Sequence, residues 1–424
     1  MPDYILDTFQ LTLDGKMPQD FLKQNILIGI SGGIAAYKVA YLVRELTKLG
    51  ANVKVVMTEE ATRFVSPLTF QALSKNPVYT SLWDAEAGNG MTHIDLARWA
   101  DVLLIAPATA NLIAKLAAGF ADDLLTTMAL IVEKPFILCP AMNHSMWANK
   151  VTQENVSKLI QRDVFIIEPL NGEAACGEVG IGRLCDITHI LQILRLYQIR
   201  NILPGKTCII TAGPTKERID SVRYLTNESS GKMGYALAYA AYVAGAKVTL
   251  ISGPSSLTAP PFVKFIQVES AADMLQAVKK HICKDCIFIG CAAVSDYKSA
   301  THYPLKLKKT PKLTLKLTQT ADILKYVAES KLPLFVAGFA AETNNLLQFA
   351  KEKLISKNAN LIIANQVGEN VGFNADYHSI TLVTKNETIA IEKMHKVHLA
   401  ARIMQFISEK ISRKLISADQ AAEL

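Results

Sequence analysis

Three residues in the first half of the chain have types and settings that could carry acid–base chemistry. His93 precedes the helix-like segment IDLARWAD, although a lone histidine is more often structural. Asn143 ends the segment FILCPAMN, directly after an apolar run, where a carboxamide can hold an anion without adding charge. Cys176 lies in residues 172–183, whose four glycines and weak apolar anchoring predict a mobile flap. A thiol in such a flap can act as a proton donor or a nucleophile.

A glycine-rich turn, Ser31-Gly32-Gly33, follows the apolar run NILIGI and opens a helix, which suits a bound phosphate. The turn is not GxGxxG, and no acidic residue closes the next run, NVKVVM. A nicotinamide cofactor is therefore less favoured than a monophosphate cofactor such as FMN. Thr109 and Asn111 follow the run VLLIA, where Thr109 could cap the next helix and Asn111 could reach a ligand, although capping alone could explain this segment.

The second half contains a long polar loop, residues 213–234, whose length before a helix suggests binding. Its end, SSGKMG, is like a phosphate loop, but Thr226 and Met233 replace the Gly and the Ser or Thr of that motif, which disfavours Walker-type hydrolysis. An ordinary capped helix start would explain the serines but not Arg223 and Asn227.

Two charged features follow this loop along the chain. Asp296 comes just after the buried run CIFIGCAAV, which is the usual place for a nucleotide or magnesium contact. The segment KLKK, which begins at Lys306, gathers cations that could stabilise charge developing on a transferred phosphate. A solvated edge strand is the competing interpretation, because residues 305–318 read as an alternating strand with lysine on one side.

Short apolar runs alternate with helix-length amphipathic segments from Asn25 onward, as in a parallel sheet covered by helices on both faces. Residues 201–206, with a Pro-Gly pair, interrupt this rhythm before it begins again. The sequence predicts an α/β protein with two doubly wound, mainly parallel-sheet, Rossmann-like domains. We place an N-terminal extension at 1–24 and the domains at 25–203 and 204–424.

Composition excludes several classes of protein. The 424 residues are too many for one common core, and the net charge of +7 is spread along the chain, so small anions are expected partners and nucleic acid is not. No apolar stretch reaches the roughly 20 residues that span a bilayer, and no signal-peptide core is present. We therefore expect a cytoplasmic protein without membrane contact. Seven scattered cysteines favour small buried side chains over a disulfide framework or a structural zinc site.

Five segments of the first domain resemble the homo-oligomeric flavin-containing cysteine decarboxylases. They are SGGIAAYK, MTHIDLARWAD, PATANLIAKLAAGFADDLL, PAMN and ACGEVGIGR. The resemblance implies FMN at subunit contacts, with a trimer as the minimal active unit. The FMN-binding residues that we expect are Ser31, Gly32, Gly33, Thr109 and Asn111. On the same resemblance His93 is the active-site base, Asn143 holds the substrate carboxylate and Cys176 returns a proton to the product.

The chemistry of cysteine decarboxylation explains the need for a flavin. The carboxyl carbon of an acylated cysteine has no adjacent electron sink, so carbon dioxide is not lost readily. A flavin can oxidise the CH2–SH group to a thioaldehyde, after which the electrons of the departing carboxylate delocalise into an ene-thiolate. Reduced flavin and an acid then restore the thiol.

The second domain resembles phosphopantothenate–cysteine ligases, the second half of the bacterial bifunctional coenzyme A proteins, over about residues 206–397. The matching segments are TAGPTKERID, VRYLTNESSGKMGYALA, AAVSDY followed by KLKK, and GFAAETNNLLQFAKEKLISKNANLIIAN. The resemblance implies that Asn227 handles an acyl-nucleotide intermediate with Arg223 nearby at the substrate, that Lys306 is catalytic and that Asp296 holds Mg²⁺. The implied CTP contacts are Gly290, Cys291, Ala292, Asp296, Lys306, Thr320, Ala321, Asp322, Ile323, Phe339, Lys353 and Lys357. The sequence departs from the family at Ser221, Ser295, the TAD before Ile323 and His378.

Together the resemblances imply a bifunctional enzyme of coenzyme A biosynthesis. The carboxylate of 4'-phosphopantothenate attacks CTP to give an acyl-cytidylate and pyrophosphate, and the amine of cysteine then displaces CMP. The ligase product is decarboxylated to 4'-phosphopantetheine. The expected partners are these small molecules and further copies of the chain, in a trimeric decarboxylase core that could extend to a dodecamer.

Two alternatives to this interpretation are weighed. In one, a flavin decarboxylase acts on C-terminal cysteines of peptides and the second domain serves recognition, but Asn227, Asp296 and Lys306 are then unexplained. In the other, the chain is a flavin-binding scaffold without catalysis, and the presence together of His93, Asn143 and Cys176 argues against it, because binding FMN needs none of their chemistry.

Overall fold

The structure is a computed structural model that describes residues 21, 23–83, 91–134, 136–173, 177–309, 311, 313–342, 344–366 and 375–422, with side chains as far as Arg413. Its internal contacts divide the chain into two compact units, Met1–Leu191 and Gln192–Leu424. This division falls earlier than the boundary expected after residue 203, and the domain ranges given above remain a prediction.

The first unit is built on a parallel sheet whose strands are β1 (Asn25–Ile30), β2 (Asn52–Met57), β3 (Val78–Tyr79), β4 (Val102–Ala108), β5 (Phe136–Pro140) and β6 (Phe165–Ile166). Their order across the sheet is β3-β2-β1-β4-β5-β6, with parallel pairing throughout. The connections reverse direction between β1 and β4, so the carboxyl ends of these two strands flank the switch point at which such sheets bind ligands.

Helices cover both faces of this sheet, which is why every residue of β4 is buried and the run is continuously apolar. A hairpin follows β6, formed by the antiparallel strands β7 (Leu170–Glu173) and β8 (Val179–Arg183). The helices are α1 (Ala36–Lys48), α2 (Glu59–Thr62), α3 (Pro67–Ser74), α4 (Thr92–Trp99), α5 (Ala110–Ala118), α6 (Leu124–Ile131), α7 (His144–Ala148), α8 (Lys150–Gln161) and α9 (Ile187–Leu196).

The second unit is built on an eight-stranded sheet. Its strands are β9 (Thr207–Ala212), β12 (Lys247–Ser252), β13 (Lys264–Gln267), β14 (Ile287–Gly290), β17 (Phe335–Glu342), β18 (Leu361–Gln366), β19 (Tyr377–Val383) and β20 (Thr388–His395). Their order across the sheet is β13-β12-β9-β14-β17-β18-β19-β20. Pairing is parallel from β13 to β18 and antiparallel for the last two strands. The α/β class with two doubly wound, mainly parallel sheets is thereby confirmed.

Two short antiparallel ribbons lie outside that sheet. They are β10 (Lys216–Arg218) with β11 (Tyr224–Thr226), and β15 (Tyr297–Ser299) with β16 (Leu317–Gln319). The helices of the unit are α10 (Lys232–Val243), α11 (Ala271–His281), α12 (Ile323–Glu329), α13 (Leu346–Ser356) and α14 (Lys396–Ala422). In the described part of the chain, no helix is both long and apolar enough to cross a membrane.

One local expectation is wrong. Residues 305–318 do not form a continuous alternating strand, because β16 begins only at Leu317 and the described residues before it form a loop. The alternation of leucine and lysine imitates a strand, but the N–H of Leu307 donates to the Asp220 carboxylate and its carbonyl accepts from Arg223, which holds this backbone in the loop. The cationic segment that begins at Lys306 is therefore not part of a sheet, and its lysines are exposed.

The described cysteines are all free, and most are buried. Cys283 and Cys286 have the Cys-x-x-Cys spacing found in many zinc sites, but Cys286 is buried in the core just before β14 and Cys283 is exposed. Burial raises the pKa of the Cys286 thiol to about 11. This thiol therefore stays protonated at neutral pH and packs as a small apolar group.

Candidate functional site

Hydrogen bonds fix the glycine-rich turn of the first unit against the next strand. The buried Ser31 hydroxyl donates to the carbonyl of Pro107 at 2.7 Å and accepts from the backbone N–H of Thr109 at 3.0 Å. The Thr109 hydroxyl also accepts from the N–H of Leu112, so this side chain caps α5 as expected. Ser31 and Thr109 therefore meet at the switch point of the sheet.

The turn fits the phosphate of a flavin mononucleotide. An added Cβ at Gly32 would lie 2.3 Å from the Cβ of Glu60, so only glycine allows this close approach to α2. The backbone N–H groups of residues 32–35 donate to no residue that the structure describes, and α1 begins without a side-chain cap. Such amides bind a phosphate through hydrogen bonds and the helix dipole.

Asn143 is held through both ends of its carboxamide. The oxygen accepts from the backbone N–H of Ser145 at 2.8 Å, and Nδ2 donates to the Glu178 carboxylate. Glu178 precedes β8, and the carbonyl of Gly182 in β8 accepts from the N–H of Met142 at 2.9 Å. The expected flap thus has a formed stem, the β7–β8 hairpin, that is docked on the segment carrying Asn143.

The docked hairpin gives a first prediction, for Gly182→Ala. A Cβ at this position would lie 2.3 Å from the carbonyl oxygen of Met142, so the hairpin must move away from Asn143. We expect the decarboxylation that the family resemblance implies to fall about 100-fold, as for a catalytic group displaced by about an ångström. The control is Gly172→Ala in the same hairpin, where the new Cβ meets only the flexible Arg183 side chain at 3.4 Å. Equal rates of carbon dioxide release in the two variants would contradict the docking argument.

Charge also links this hairpin to α1. Burial lowers the pKa of Lys38, in the first turn of α1, and the nearby positive charge of Arg183 lowers it further. Arg183 is itself 3.3 Å from Asp186, which acts on Lys38 in the opposite sense. A half-buried cation beside the glycine turn favours an anionic ligand.

The remaining predicted residues of the first unit lie at helix starts or outside the described residues. His93, which is half-buried, and Asn111, which is exposed, are second residues of α4 and α5. In the described ranges no hydrogen bond joins either side chain to Ser31, Thr109 or Asn143. Cys176 lies outside the described residues, between β7 and β8, so its role stays a prediction.

The second unit has a cleft at the carboxyl ends of β14 and β17. Its inner part, about 180 Å³ in volume, is lined by most of the residues expected to contact CTP. They are Gly290, Ala292, Asp296, Thr320, Ala321, Asp322, Ile323, Phe339, Lys353 and Lys357. Cys291 lines the wider outer part of the same cleft. The sheet therefore brings together residues that are far apart in sequence.

Backbone hydrogen bonds join the two chain segments at the mouth of this cleft. The N–H of Thr320 donates to the carbonyl of Asp296 at 2.9 Å, and the Thr320 hydroxyl donates to the carbonyl of Ser295. The N–H of Ser295 donates to the Thr215 hydroxyl at 3.0 Å. The side chain of Asp296 is thus positioned by a rigid frame that ties it to the loop after β9.

Charged groups surround the inner part. Burial lowers the pKa of Lys353, while Glu342, Asp296 and Asp322 act in the opposite sense. Lys357 forms an ion pair with Asp322, the N-cap of α12. Burial opposes ionisation of Asp322, but hydrogen bonds from the Lys357 ammonium and the Lys325 amide outweigh it and lower the pKa of Asp322. Asp322 is therefore occupied in holding Lys357 at the cleft.

The outer part of the cleft, about 700 Å³ in volume, contains Asn227. Its Nδ2 donates to the carbonyl of Val294 at 3.0 Å, two residues before Asp296. The side chain is thereby fixed on the segment that carries Asp296, one of the predicted nucleotide contacts. A volume in this range suits a ligand of the size of a nucleotide or a cofactor.

Arg223 and Lys306 lie together but line neither part of the cleft. The Arg223 guanidinium donates to the buried Asp220 carboxylate at 2.9 Å and to the carbonyl of Leu307 at 2.9 Å. Asp220 also accepts from the N–H of Leu307 at 3.1 Å. Both charged residues of the 220–223 turn therefore hold the backbone next to Lys306, so Arg223 acts in this structure as a support of the cationic loop.

Acid should release this support. Burial opposes ionisation of Asp220, but hydrogen bonds from Val222, Arg223 and Leu307 outweigh it and hold the pKa of Asp220 well below its usual range. A carboxyl whose folded-state pKa is depressed stabilises the fold above its unfolded pKa, near 3.9, and this contribution is lost as pH falls further. The measurement is the urea concentration at which half of the second unit is unfolded, followed by hydrogen exchange of peptides from that unit. Below about pH 4 we expect this midpoint to fall more steeply with pH in the native chain than in Asp220→Asn. The exposed Asp285→Asn is the matched control, and parallel curves for all three proteins would contradict the prediction.

Several residues of the outer cleft are absent from the sequence-based predictions. They are Lys232, Glu342, His378 and Lys396. Lys232 follows the noticed SSG segment and could have been included on that ground. Lys396 is remote in sequence, at the start of the last helix, and no local motif marks it.

The donor set around Asp296 suits a magnesium ion that is held mainly by a nucleotide. Within the described ranges, no group of three or more His, Cys, Asp or Glu side chains could bind a metal by itself. Mg²⁺ is typically held by one or two carboxylates together with substrate phosphates and water. Asp296 alone at the mouth of the cleft is compatible with that arrangement.

Two family models match this chain, one over the part that contains the first site and one over the part that contains the second. The Flavoprotein family model matches residues 15–196, and the model described as DNA/pantothenate metabolism flavoprotein C-terminal domain matches residues 203–411. The coenzyme A biosynthesis bifunctional protein CoaBC of Vibrio parahaemolyticus is 47% identical over 397 residues, which cover 92% of this chain and 99% of that protein. The protein of the same name from Escherichia coli K12 is 47% identical over 367 residues, covering 85% and 90%.

A crystal structure of the C-terminal domain of a CoaBC protein is 41% identical, covers 50% of this chain and 99% of that one, and has a TM-score of 0.44. The resemblance read from the sequence is confirmed by the identity across nearly the whole length of the two curated relatives, and the expected flavin is confirmed at the level of the family. The chain therefore belongs to the family of bifunctional coenzyme A biosynthesis proteins.

Proposed function

We propose that the chain joins cysteine to 4'-phosphopantothenate at the cleft of the second unit, with CTP as co-substrate, and decarboxylates the product at the glycine turn of the first unit. The observation that carries this proposal is the gathering of Asn227 and eleven of the expected CTP contacts in one continuous cleft. The family provides the two activities, and this cleft supports the choice of a nucleotide co-substrate.

In the ligase reaction, the side chains at the cleft have separable tasks. The nucleoside enters the inner part between Phe339 and the segment 320–323, where Lys353 and Lys357 bind polar groups of the nucleotide. Asp296 at the mouth binds Mg²⁺ on the phosphates. Asn227, fixed by Val294, orients the acyl-nucleotide, and Lys306 approaches from its loop to stabilise the charge that develops on the phosphates.

In the decarboxylase reaction, the residues of the first unit bind, orient and protonate. Ser31, Gly32, Gly33, Thr109 and Asn111 bind FMN, which supplies an electron acceptor for oxidation of the thiol-bearing carbon. Asn143 orients the substrate carboxylate, His93 accepts a proton and Cys176 returns one to the product. The hairpin docked at Asn143 excludes water.

The state of assembly belongs to the same proposal. Ile34, Tyr37 and Tyr41, at the start of α1 beside the glycine turn, are each more than half exposed. Large apolar side chains around a ligand turn favour cover by a second copy of the chain. We expect a homo-oligomer with a trimeric decarboxylase core, possible extension to a dodecamer, and a cytoplasmic location.

The test uses the full-length chain, which should be yellow when purified. With Mg²⁺, CTP, 4'-phosphopantothenate and cysteine it should release pyrophosphate and carbon dioxide in equal amounts. Omission of CTP should stop both products, whereas 4'-phosphopantothenoylcysteine supplied directly should still release carbon dioxide. Decarboxylation of peptides with C-terminal cysteine, without any CTP-dependent step, would overturn the proposal.

A further inference from the structure

Lys396 is a buried cation to which the proposed reaction gives no task. It is the first residue of α14, it is only 7% exposed, and it lines the outer part of the ligase cleft. Its ammonium donates no hydrogen bond to any residue in the part of the chain that the structure describes. Lysine is rarely buried to this extent unless something pairs with it.

The charges near Lys396 leave room for an anion. Among the described residues, the carboxylate that favours its charged form is Asp376, which is already paired with Lys232 at 2.7 Å. Cys291 is also close, but burial raises the pKa of its thiol to about 12, so it is neutral at physiological pH. Burial lowers the pKa of Lys396 to about 8, and the positive charge of Lys232 adds to this effect. A bound anion would reverse it.

The start of α10 faces the same part of the cleft. Gly231 has a φ of +80°, and α10 begins at Lys232 without a side-chain cap. The hydroxyls of Ser229 and Ser230 line the cleft beside it and accept from the N–H groups of Gly231 and Lys232 at 3.3 Å and 3.5 Å. The next two N–H groups of the helix start, at Met233 and Gly234, donate to no residue that the structure describes. Such amides prefer an anion with several oxygens, and Lys396 adds a buried charge to them.

We propose that Lys396 is a phosphate-binding residue, which together with Lys232 and the start of α10 forms a phosphate subsite in the outer part of the ligase cleft. The ligand is a phosphate group, from the polyphosphate of the nucleotide or from the phosphomonoester of the acid substrate. Only this identity of the ligand rests on the function proposed above. Binding of a free phosphate anion does not depend on turnover.

The test measures binding of inorganic pyrophosphate to the full-length chain by titration calorimetry. Lys396→Met removes the charge but keeps an unbranched side chain suited to burial, and it should weaken pyrophosphate binding about 10- to 100-fold. Lys393→Gln, at an exposed position three residues earlier, is the matched control and should bind as the native chain does. Unchanged binding by Lys396→Met would overturn the proposal.

Thermal unfolding separates this role from a structural one. A buried lysine whose charge is paired only by a ligand destabilises the unliganded protein. Lys396→Met should therefore unfold at a higher temperature than the native chain. A lower unfolding temperature together with the loss of pyrophosphate binding would show that Lys396 supports the fold, and would overturn the proposal. Lys396→Arg, which keeps the charge, should retain binding.

Two ligand pairs distinguish the sources of the phosphate. If the subsite binds the nucleotide, Lys396→Met should reduce the ratio of the affinities for CTP and cytidine. The ratio of the affinities for 4'-phosphopantothenate and pantothenate should then be unchanged. The reverse pattern identifies the acid substrate. If both preferences were unchanged in Lys396→Met, the proposal would be overturned. If the native chain bound pyrophosphate through Lys396 but showed no ligase turnover, only the proposed function would be contradicted.

Discussion

Asn143→Asp is expected to lower carbon dioxide release from 4'-phosphopantothenoylcysteine about 100- to 1,000-fold, which is the usual effect of removing one oriented donor from an anion site. The native carboxamide presents Nδ2 as a donor, and the structure shows this group on the Glu178 carboxylate. An aspartate here would place two carboxylates together and would also repel the carboxylate of the substrate. Pyrophosphate release from CTP should continue at the native rate.

The matched control is Asn149→Asp. Asn149 also begins a helix, with its side-chain oxygen accepting from the N–H of Val151 at 3.0 Å, and aspartate can make the same cap. Both variants should keep their bound flavin, as read from the visible spectrum. If Asn143→Asp released carbon dioxide as fast as Asn149→Asp, the assignment of Asn143 to the substrate carboxylate would be wrong.

Much of the ligase cleft could be predicted because it is built from the ends of parallel strands. Runs such as CIFIG and LFVAGFA are recognisable as buried strands, and the carboxyl ends of such strands meet at one edge of the sheet. Asp296 could therefore be placed at this edge from sequence order, whereas Gly290 and Phe339 were expected there from the family resemblance. The same reasoning identified Ser31 and Thr109 at the switch point of the first unit.

Residues that reach the cleft from outside this pattern were missed. Lys396 begins a helix after two antiparallel strands, β19 and β20, which the alternating rhythm of the chain does not predict. Its burial depends on tertiary packing, and a single lysine in the sequence gives no sign of that. The loop at 305–318 was misread for a related reason, since its fixed points are Asp220 and Arg223, more than eighty residues earlier.

This support changes how the 220–223 turn and the cationic loop are understood. Sequence reasoning placed Arg223 at the substrate and Lys306 at the transition state as independent residues. The structure connects them, because Arg223 and Asp220 together bind both polar backbone atoms of Leu307. The position of Lys306 is thereby coupled to an ion pair between the buried Asp220 carboxylate and the half-exposed Arg223 guanidinium. The exposed loop that carries Lys306 is therefore held in one place.

Lys306→Gln is consequently expected to lower CTP-dependent pyrophosphate release about 100- to 1,000-fold while release of carbon dioxide from supplied 4'-phosphopantothenoylcysteine is unchanged. Glutamine keeps much of the length of the side chain but removes the charge that balances the phosphates as pyrophosphate departs. The loss should be in kcat more than in the KM for CTP, since Lys306 lines neither part of the cleft in which the nucleotide is expected to bind.

Lys284→Gln, at an exposed position of the same unit, is the control for the loss of one positive charge and should retain full ligase activity. Asp220→Asn keeps Lys306 but loses the charge that holds Leu307, so it should show a partial form of the same defect in kcat. If Lys306→Gln raised only the KM for CTP, Lys306 would bind the ground-state nucleotide. A loss of carbon dioxide release in the folded variant would instead break the assignment of the two activities to separate units.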